Sequence, residues 1–499
     1  MKMPIEYVGE YVGQYPGADP QRMRLKPLAR QIRVALLLGL AAGEAVAAPQ
    51  GGQVVAGQGQ IAAPDALTTR VTQQSSNLAI DWQSFNVKSN ERVEFRQPGR
   101  DAQALNRIFD QNPSQIFGRL DANGRVLLMN PNGVIFGPGA QVNVGSLVAA
   151  GLKARVDDFM AGQLHLEGVD GAAGVVVNQG LIAAATGGDV TLVGKAVRNE
   201  GVIVATAGRV NLAAGNKVTL DFDGDGLVRF TVDQAVLDNA KALDSAVTNT
   251  GTVAADGGSV MMAAKAAADV FSHAVNNAGV IRAARVDSSG GVIRLVATGP
   301  EAAVINTGTL DASAAGAGDG GRVELAADGK ATLAGEGVIR AAGGAGGKGG
   351  EVHVLGTTVE LADRARIDVS GPAGGGTALI GGGRGGQDPA IRSAETTTVG
   401  TDARIIASAT HAGDGGTVIV WSNGLTSFLG QIEARGGAAG GDGGFAEISG
   451  HHLGVTGHAD LRAPAGQAGA LLFDPGQVNI VHGGSGVAGL DTFSDGYID

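Results

Sequence analysis

The sequence predicts an all-β solenoid, a right-handed parallel β-helix, on three observations. First, the pattern Asn-x-Gly-x-(Ile/Val/Leu)-x-Ala recurs from Asn178, Asn199, Asn249, Asn277 and Asn306. Second, Gly-Gly-x-Val-x-Leu alternates with it, as in Gly187-Gly-Asp-Val-Thr-Leu192 and Gly320-Gly-Arg-Val-Glu-Leu325. Copies lie most often about 28 to 30 residues apart, an interval typical of solenoid coils. Third, the 499 residues include 84 Gly and only 4% aromatics, yet 44% are hydrophobic. That mixture suits short β-branched strands joined by tight turns, and it is too apolar for Gly-rich disorder.

Each pattern reads as one short strand, two per repeat. Val and Leu alternate with Asp, Thr, Arg or Glu, so one face points inward and the other to water. Asn and Gly turn the chain because they tolerate positive φ. Such strands bury their apolar faces only by stacking coil on coil, and Asn side chains at equivalent corners are expected to form a hydrogen-bonded ladder. A β-propeller would need blades of about 40 to 45 residues with aromatic signatures. The Asn199 to Asn249 interval is nearly doubled, so Leu220-Asp-Phe-Asp-Gly-Asp-Gly-Leu227 reads as an insertion or an irregular coil.

The N-terminus has the three-part order of an export signal. Arg22, Arg24, Lys26, Arg30 and Arg33 precede the apolar run Val34-Ala-Leu-Leu-Leu-Gly-Leu-Ala-Ala42. Ala45-Val-Ala-Ala48 then supplies small residues for signal peptidase, with cleavage expected around Ala47 and Ala48. The run is too short to cross a bilayer as a helix. Met1 and Met23 are both candidate starts. Residues 1–48 are therefore read as a signal peptide with an N-terminal extension, 49–165 as a motif-bearing segment, 166–470 as β-helical repeats, and 471–499 as a boundary element and tail.

Little in the chain suggests reaction chemistry. There is no Cys, which excludes disulfides and thiolate sites. The net charge of −11 gives no basic footprint for a nucleic acid. Asp221-Phe-Asp-Gly-Asp-Gly226 begins like an EF-hand loop, but Val232 stands where the bidentate Glu belongs. No nucleophile elbow, phosphate loop or zinc signature is present. Strand charges such as Asp189, Arg209, Arg322 and Glu351 vary in sign and read as a mixed solvated face, unlike the clustered groove of a polysaccharide-active β-helix. The expectation is no enzyme, no cofactor and no metal.

Residues 53–155 carry a different texture. Ile80-Asp-Trp-Gln-Ser-Phe-Asn-Val87 holds Asp81, Trp82, Phe85 and Asn86. Val93-Glu-Phe-Arg-Gln-Pro98 ends on Gln97 and Pro98, and Ala104-Leu-Asn-Arg-Ile108 contains Leu105, Asn106 and Arg107. Pro113-Ser-Gln-Ile-Phe-Gly-Arg-Leu120 follows, then a run through Asn130, Pro131, Asn132 and Gly133 to Gly137. In this order and spacing the elements resemble the haemagglutination activity domain of filamentous-haemagglutinin-like, TpsA-type two-partner secretion exoproteins. Asp81 stands where that family usually has Asn. The segment is nearer the branch of the high-molecular-weight Haemophilus adhesins, since the Asn-Pro-Asn-Leu motif common in the other branch is missing. The resemblance implies a capped N-terminal secretion domain, export through a TpsB-type outer-membrane transporter, and a secreted or cell-surface adhesin of a Gram-negative bacterium acting on a host or bacterial surface receptor. A toxin-delivery stalk shares the same motifs and is the alternative; a polysaccharide-active enzyme comes third. From the residues alone, Asn130 and Asn132 read first as turn formers, and Trp82 and Phe85 as fillers of the helix end.

Overall fold

The computed structural model describes residues 48–222, 228–239, 241–286, 290–475, 493–494 and 497–498. Ala47 and the export signal before it lie outside the described residues, as do residues 223–226 of the EF-hand-like run and most of the tail. The described residues belong to one compact unit, Ala47–Asp499.

That unit is a right-handed parallel β-helix, and each coil contributes three strands rather than two. One coil runs through Val175–Asn178, Leu181–Ala184 and Val190–Gly194, and Ala196–Asn199 starts the next. Each strand pairs in parallel with its equivalent one coil away, as Val176 with Val197, Ile182 with Ile203 and Leu192 with Leu212. The stacked strands form a first, a second and a third face. The Asn-x-Gly pattern turned out to straddle the corner between first and second faces, which hid a strand of only three to five residues.

The alternation does what the sequence implies. Ile182, Ile203, Val253, Ile281, Leu310, Ile339, Ile367, Ile405 and Ile432 follow one another on the second face, fully buried. They share one continuous interior with Val and Leu residues of the other faces. Each such side chain contributes about 1.5–3 kcal/mol of burial, available only when the neighbouring coils are present. The Gly-Gly doublets have a steric cause. A Cβ on Gly375 would lie 1.7 Å from the Ala407 carbonyl oxygen, and one on Gly349 1.8 Å from that of Val369.

The Asn ladder is present. Asn178 donates to Asn199 Oδ1 at 2.8 Å, Asn199 to Asn249 at 2.7 Å, Asn249 to Asn277 at 2.7 Å and Asn277 to Asn306 at 2.6 Å. All five are fully buried. Beyond Asn306 the column continues in register as Leu333, Leu361, Val399 and Phe428, so the polar stack gives way to an apolar one.

Asp189 departs from the expected solvated face. It is buried, its Oδ1 accepts the Arg209 backbone N–H at 2.8 Å, and its own N–H donates to Ser146 Oγ. Further along, the alternating signs form ion pairs between coils: Arg294 with Glu324, Arg322 with Glu351 and Lys330 with Glu360.

At the N-terminal end, Gln53–Ala56 lies antiparallel on Asn77–Trp82. The hairpin Gly59–Asp65 and Thr68–Gln73 closes the second face, its second strand running parallel to Arg92–Arg96. These strands cover edges that would otherwise offer unpaired backbone groups. The long interval after Asn199 is an insertion within a single coil, because Asn199 pairs directly with Asn249. Its strands Lys217–Phe222 and Val228–Gln234 join Lys153–Ala154 and Leu164–Glu167 in a four-stranded antiparallel flap.

Candidate functional site: the motif-bearing end and its groove

The motifs gather on three successive third-face strands and the corners beside them. Asn77–Trp82, Gln103–Ile108 and Arg125–Met129 run parallel, with Asp81 opposite Arg107 and Arg107 opposite Met129. Alternation sends Ile80, Trp82, Asn106 and Leu128 inward, and Asp81, Leu105, Arg107 and Met129 outward.

Trp82 and Phe85 fill the helix end. Their rings meet edge to face, with centroids 5.4 Å apart, and both are buried. The indole N–H requires an acceptor in that interior; Asn106 Oδ1 supplies it at 2.9 Å. The Asn106 amide in turn donates to the carbonyls of Ala104 and Leu127, spanning two coils. Asn86 Oδ1 accepts the Gln115 N–H at 2.8 Å, fixing the corner after Phe85.

Gln97 is a buried clasp. Its Nε2 donates to Gln73 Oε1, the Ala102 carbonyl and the Arg125 carbonyl, while its Oε1 accepts the Gly124 N–H at 2.9 Å. Asn123 bonds the Gln97 backbone on both sides, at 2.8 Å each. Pro98 is exposed just beyond.

Asn130-Pro-Asn-Gly133 is a turn that ties coils together. Buried Asn130 donates to the Asn112 carbonyl and to Ser114 Oγ, and its Oδ1 accepts the Asn132 N–H at 2.9 Å. Asn132 donates to the Asp110 carbonyl at 2.8 Å, and the Pro131 carbonyl accepts the Gly174 N–H at 3.0 Å. Gly133 has φ of 117°, and a Cβ there would sit 2.5 Å from the Val175 carbonyl oxygen. No other residue fits.

Outward from these motifs lies a groove of about 630 Å³ between the third face and the flap. Arg107, Phe109, Met129 and Pro131 line one side, and Lys153, His165 and Lys217 the other. Arg107 forms a bidentate pair with Asp81, both contacts 2.7 Å, and its guanidinium lies 5.5 Å from the ring centre of Phe109. Phe109 is 60% exposed. Lys153 and Lys217 both contact Glu167, holding its carboxyl below the usual range through those hydrogen bonds. His165 Nδ1 lies 3.2 Å from Thr219 Oγ1, which donates to Asp233.

Leu105, Leu127, Met129, Val148 and Val193 are buried under the flap with Leu164, Leu166, Val218 and Leu220. Sequence reasoning missed the flap and so missed Phe109, Lys153, His165 and Lys217. Its signal was there: Val126-Leu-Leu-Met129 and Leu147-Val-Ala-Ala150 are unbroken apolar runs, and a strand apolar on both faces must be covered on both.

The family model described as the TPS secretion domain matches residues 45–312. The chain belongs to the TPS secretion domain family. Its motif-bearing end is thus the start of a TPS secretion domain that continues well into the regular coils. The chain is 36% identical over 215 residues to the heme/hemopexin-binding protein of Haemophilus influenzae, covering 42% of this chain and 23% of that protein. A second heme/hemopexin-binding protein of that species is 44% identical over 101 residues, 20% of this chain and 11% of the relative. The chain thus matches less than a quarter of these relatives' length. The crystal structure of the HMW1 secretion domain from Haemophilus influenzae superposes with a TM-score of 0.60 at 27% identity, over 85% of this chain and all of that one. The TPS secretion domain makes this chain a TpsA-type two-partner secretion exoprotein, a class exported across the outer membrane of Gram-negative bacteria by a TpsB-type transporter.

Proposed function

We propose that this exoprotein is an adhesin, delivered to the cell surface or medium by its own outer-membrane transporter, and that it catalyses no reaction. The observation that carries the reading is the TPS secretion domain match over residues 45–312, running without a break into a stack of coils that continues to residue 475. A long stack of this kind is a spacer that holds a binding surface away from the cell, and each added coil releases burial energy only on the outer side of the membrane. Support for a non-enzymatic role comes from Arg294, Arg322 and Lys330, whose charges are spent on ion pairs with the next coil. Signal peptidase and a surface receptor complete the proposed set of partners. The test is adherence: a non-adherent strain carrying this gene and its transporter gene should bind host epithelial cells or neighbouring bacteria. Equal binding without this gene refutes the adhesin reading.

A second reading, capture of heme or of its carrier, is favoured by the names of the relatives and by the groove. Phe109, Met129 and Pro131 give the groove an apolar side, and Arg107, Lys153, His165 and Lys217 give it basic groups for a flat ligand bearing carboxylates. Such a ligand would have to compete with Asp81 and Glu167 for the bases and lie beside Asp158 and Asp233. Hemin titration followed by the Soret band, repeated with His165→Ala, decides it: a His165-dependent shift supports capture, and none rejects it.

A further inference from the structure

Across the third-to-first-face corner most coils spend few residues: two between Glu351–Leu355 and Thr358–Leu361, and two between Arg322–Ala327 and Lys330–Leu333. Between Thr377–Ile380 and Thr396–Val399 the chain spends fifteen, residues 381–395. This segment lies over the outside of the third face and is bonded in both directions along the stack. Backward, Arg392 reaches Asp328 Oδ1 at 2.7 Å, the Asp328 carbonyl at 2.9 Å and Thr357 Oγ1 at 3.1 Å. Forward, the Gly385 N–H donates to both oxygens of Glu447, at 3.1 and 3.3 Å, and the Arg384 guanidinium lies 4.5 Å from the ring centre of Phe445.

Glu447 is the telling residue. It points outward on its strand, between the inward-facing Ala446 and Ile448, yet it is fully buried, and its register neighbours Ile419 and His353 on the same outer face are buried as well. The segment's composition answers to this position. A Cβ on Gly382 would meet the Trp421 ring at 2.5 Å, and so would one on Gly386, whose φ of 62° also favours glycine. Gly382 and Gly386 are what let the segment lie so close to the indole. Arg392 and Glu447 sit at opposite ends, and between Asp328 and Glu447 lie the third-face strands at 351–355, 377–380 and 417–422.

We propose that residues 381–395 form a strap that locks the coils from Arg322–Ala327 to Phe445–Val455 into one cooperative block. In a solenoid each coil touches only its neighbours, so coils at the open end fray one after another. The strap adds bonds between coils that are not neighbours, so opening the coil at Glu447 also costs contacts that hold the coil at Asp328. During export from the N-terminus, the backward bonds can close as soon as residue 392 emerges, and the forward ones only when Glu447 follows. The closed strap then opposes return of the coils between them.

The experiment is amide hydrogen exchange by mass spectrometry on the secreted full chain, with wild type, Arg392→Ala/Glu447→Ala and the conservative Arg392→Lys/Glu447→Gln. In wild type, amides of 322–327, 351–355, 377–380, 417–422 and 445–450 should exchange at opening rates within about threefold of one another. In the double alanine variant, 417–422 and 445–450 should open at least about tenfold faster while 322–327 stays unchanged. The conservative variant should restore most of the coupling. A core change inside the block, Val352→Ala, separates coupling from plain destabilisation: it should speed exchange at 445–450 in wild type and leave that strand unaffected in the double alanine variant. The proposal is overturned if wild type already frays coil by coil, or if 445–450 exchanges alike with and without the strap bonds.

Discussion

The buried Asn ladder allows a graded test of how coils hold one another. Asn249 sits mid-ladder: its Oδ1 accepts from Asn199 and its Nδ2 donates to Asn277. Asn249→Ala removes both bonds and leaves the Asn199 donor and the Asn277 acceptor in a dry interior. An unsatisfied buried polar group costs about 1–3 kcal/mol, so the two together predict a loss of about 2–6 kcal/mol, to which the small cavity adds. Asn306 is the ladder's last member and faces Leu333 on the following coil. Asn306→Leu strands only the Asn277 donor and extends the apolar column, so its cost should be about 1–2 kcal/mol. Urea unfolding of the secreted chain, followed by circular dichroism, measures both. The reasoning is refuted if Asn249→Ala costs under about 1 kcal/mol or no more than Asn306→Leu, since two stranded groups would then weigh no more than one.

Other outcomes follow from the same geometry. Gly375→Ala should prevent accumulation of folded, protease-resistant protein, because its Cβ would lie 1.7 Å from the Ala407 carbonyl oxygen and 2.3 Å from the Gly416 nitrogen; limited proteolysis of the exported chain reads this. Trp82→Ala should destabilise the N-terminal end by about 3–5 kcal/mol, seen as faster hydrogen exchange in 53–56 and 77–82 with little change past residue 300. Acidification should weaken the fold in two stages. Burial, with Arg322 adding to it, holds His353 below its usual 6.5, so its contribution is present above that value and is lost as pH falls towards its folded pKa. Arg70 holds the Glu94 carboxyl low, and at Asp368 the Ser370 and Arg366 bonds outweigh burial, so a second loss comes below about pH 4. Burial holds His273 low as well, so His353→Gln should shrink the first stage of a urea-midpoint profile, the double change with His273→Gln should abolish it, and both should leave the second.

The solenoid was legible because its physics is local and repeated. Each Asn-x-Gly and each Gly-Gly reports a corner, and the Asn residues spaced by one coil announced their own ladder. The third strand was not legible, because Val175–Asn178 and its equivalents are too short to show a period of two before the corner begins. The flap was also missed, since its covering of Leu105 and Leu127 depends on a distant hairpin, Lys217–Phe222 and Val228–Gln234. Asp189 misled for a related reason: its carboxylate serves the backbone N–H of the next coil, a contact that strand alternation does not encode. Asn130 and Asn132 read as turn formers, and their side chains are occupied within the turn and adjoining coils; beside them Phe109 is exposed while Arg107 and Pro131 are half-buried.

The most direct test of the account is export itself: the full chain expressed in a Gram-negative reporter strain with and without its cognate TpsB-type transporter, and tracked in periplasm, surface and medium. The account predicts folded, protease-resistant chain outside the cell only when the transporter is present. Appearance outside without the transporter, or retention in the periplasm regardless of it, would contradict the account.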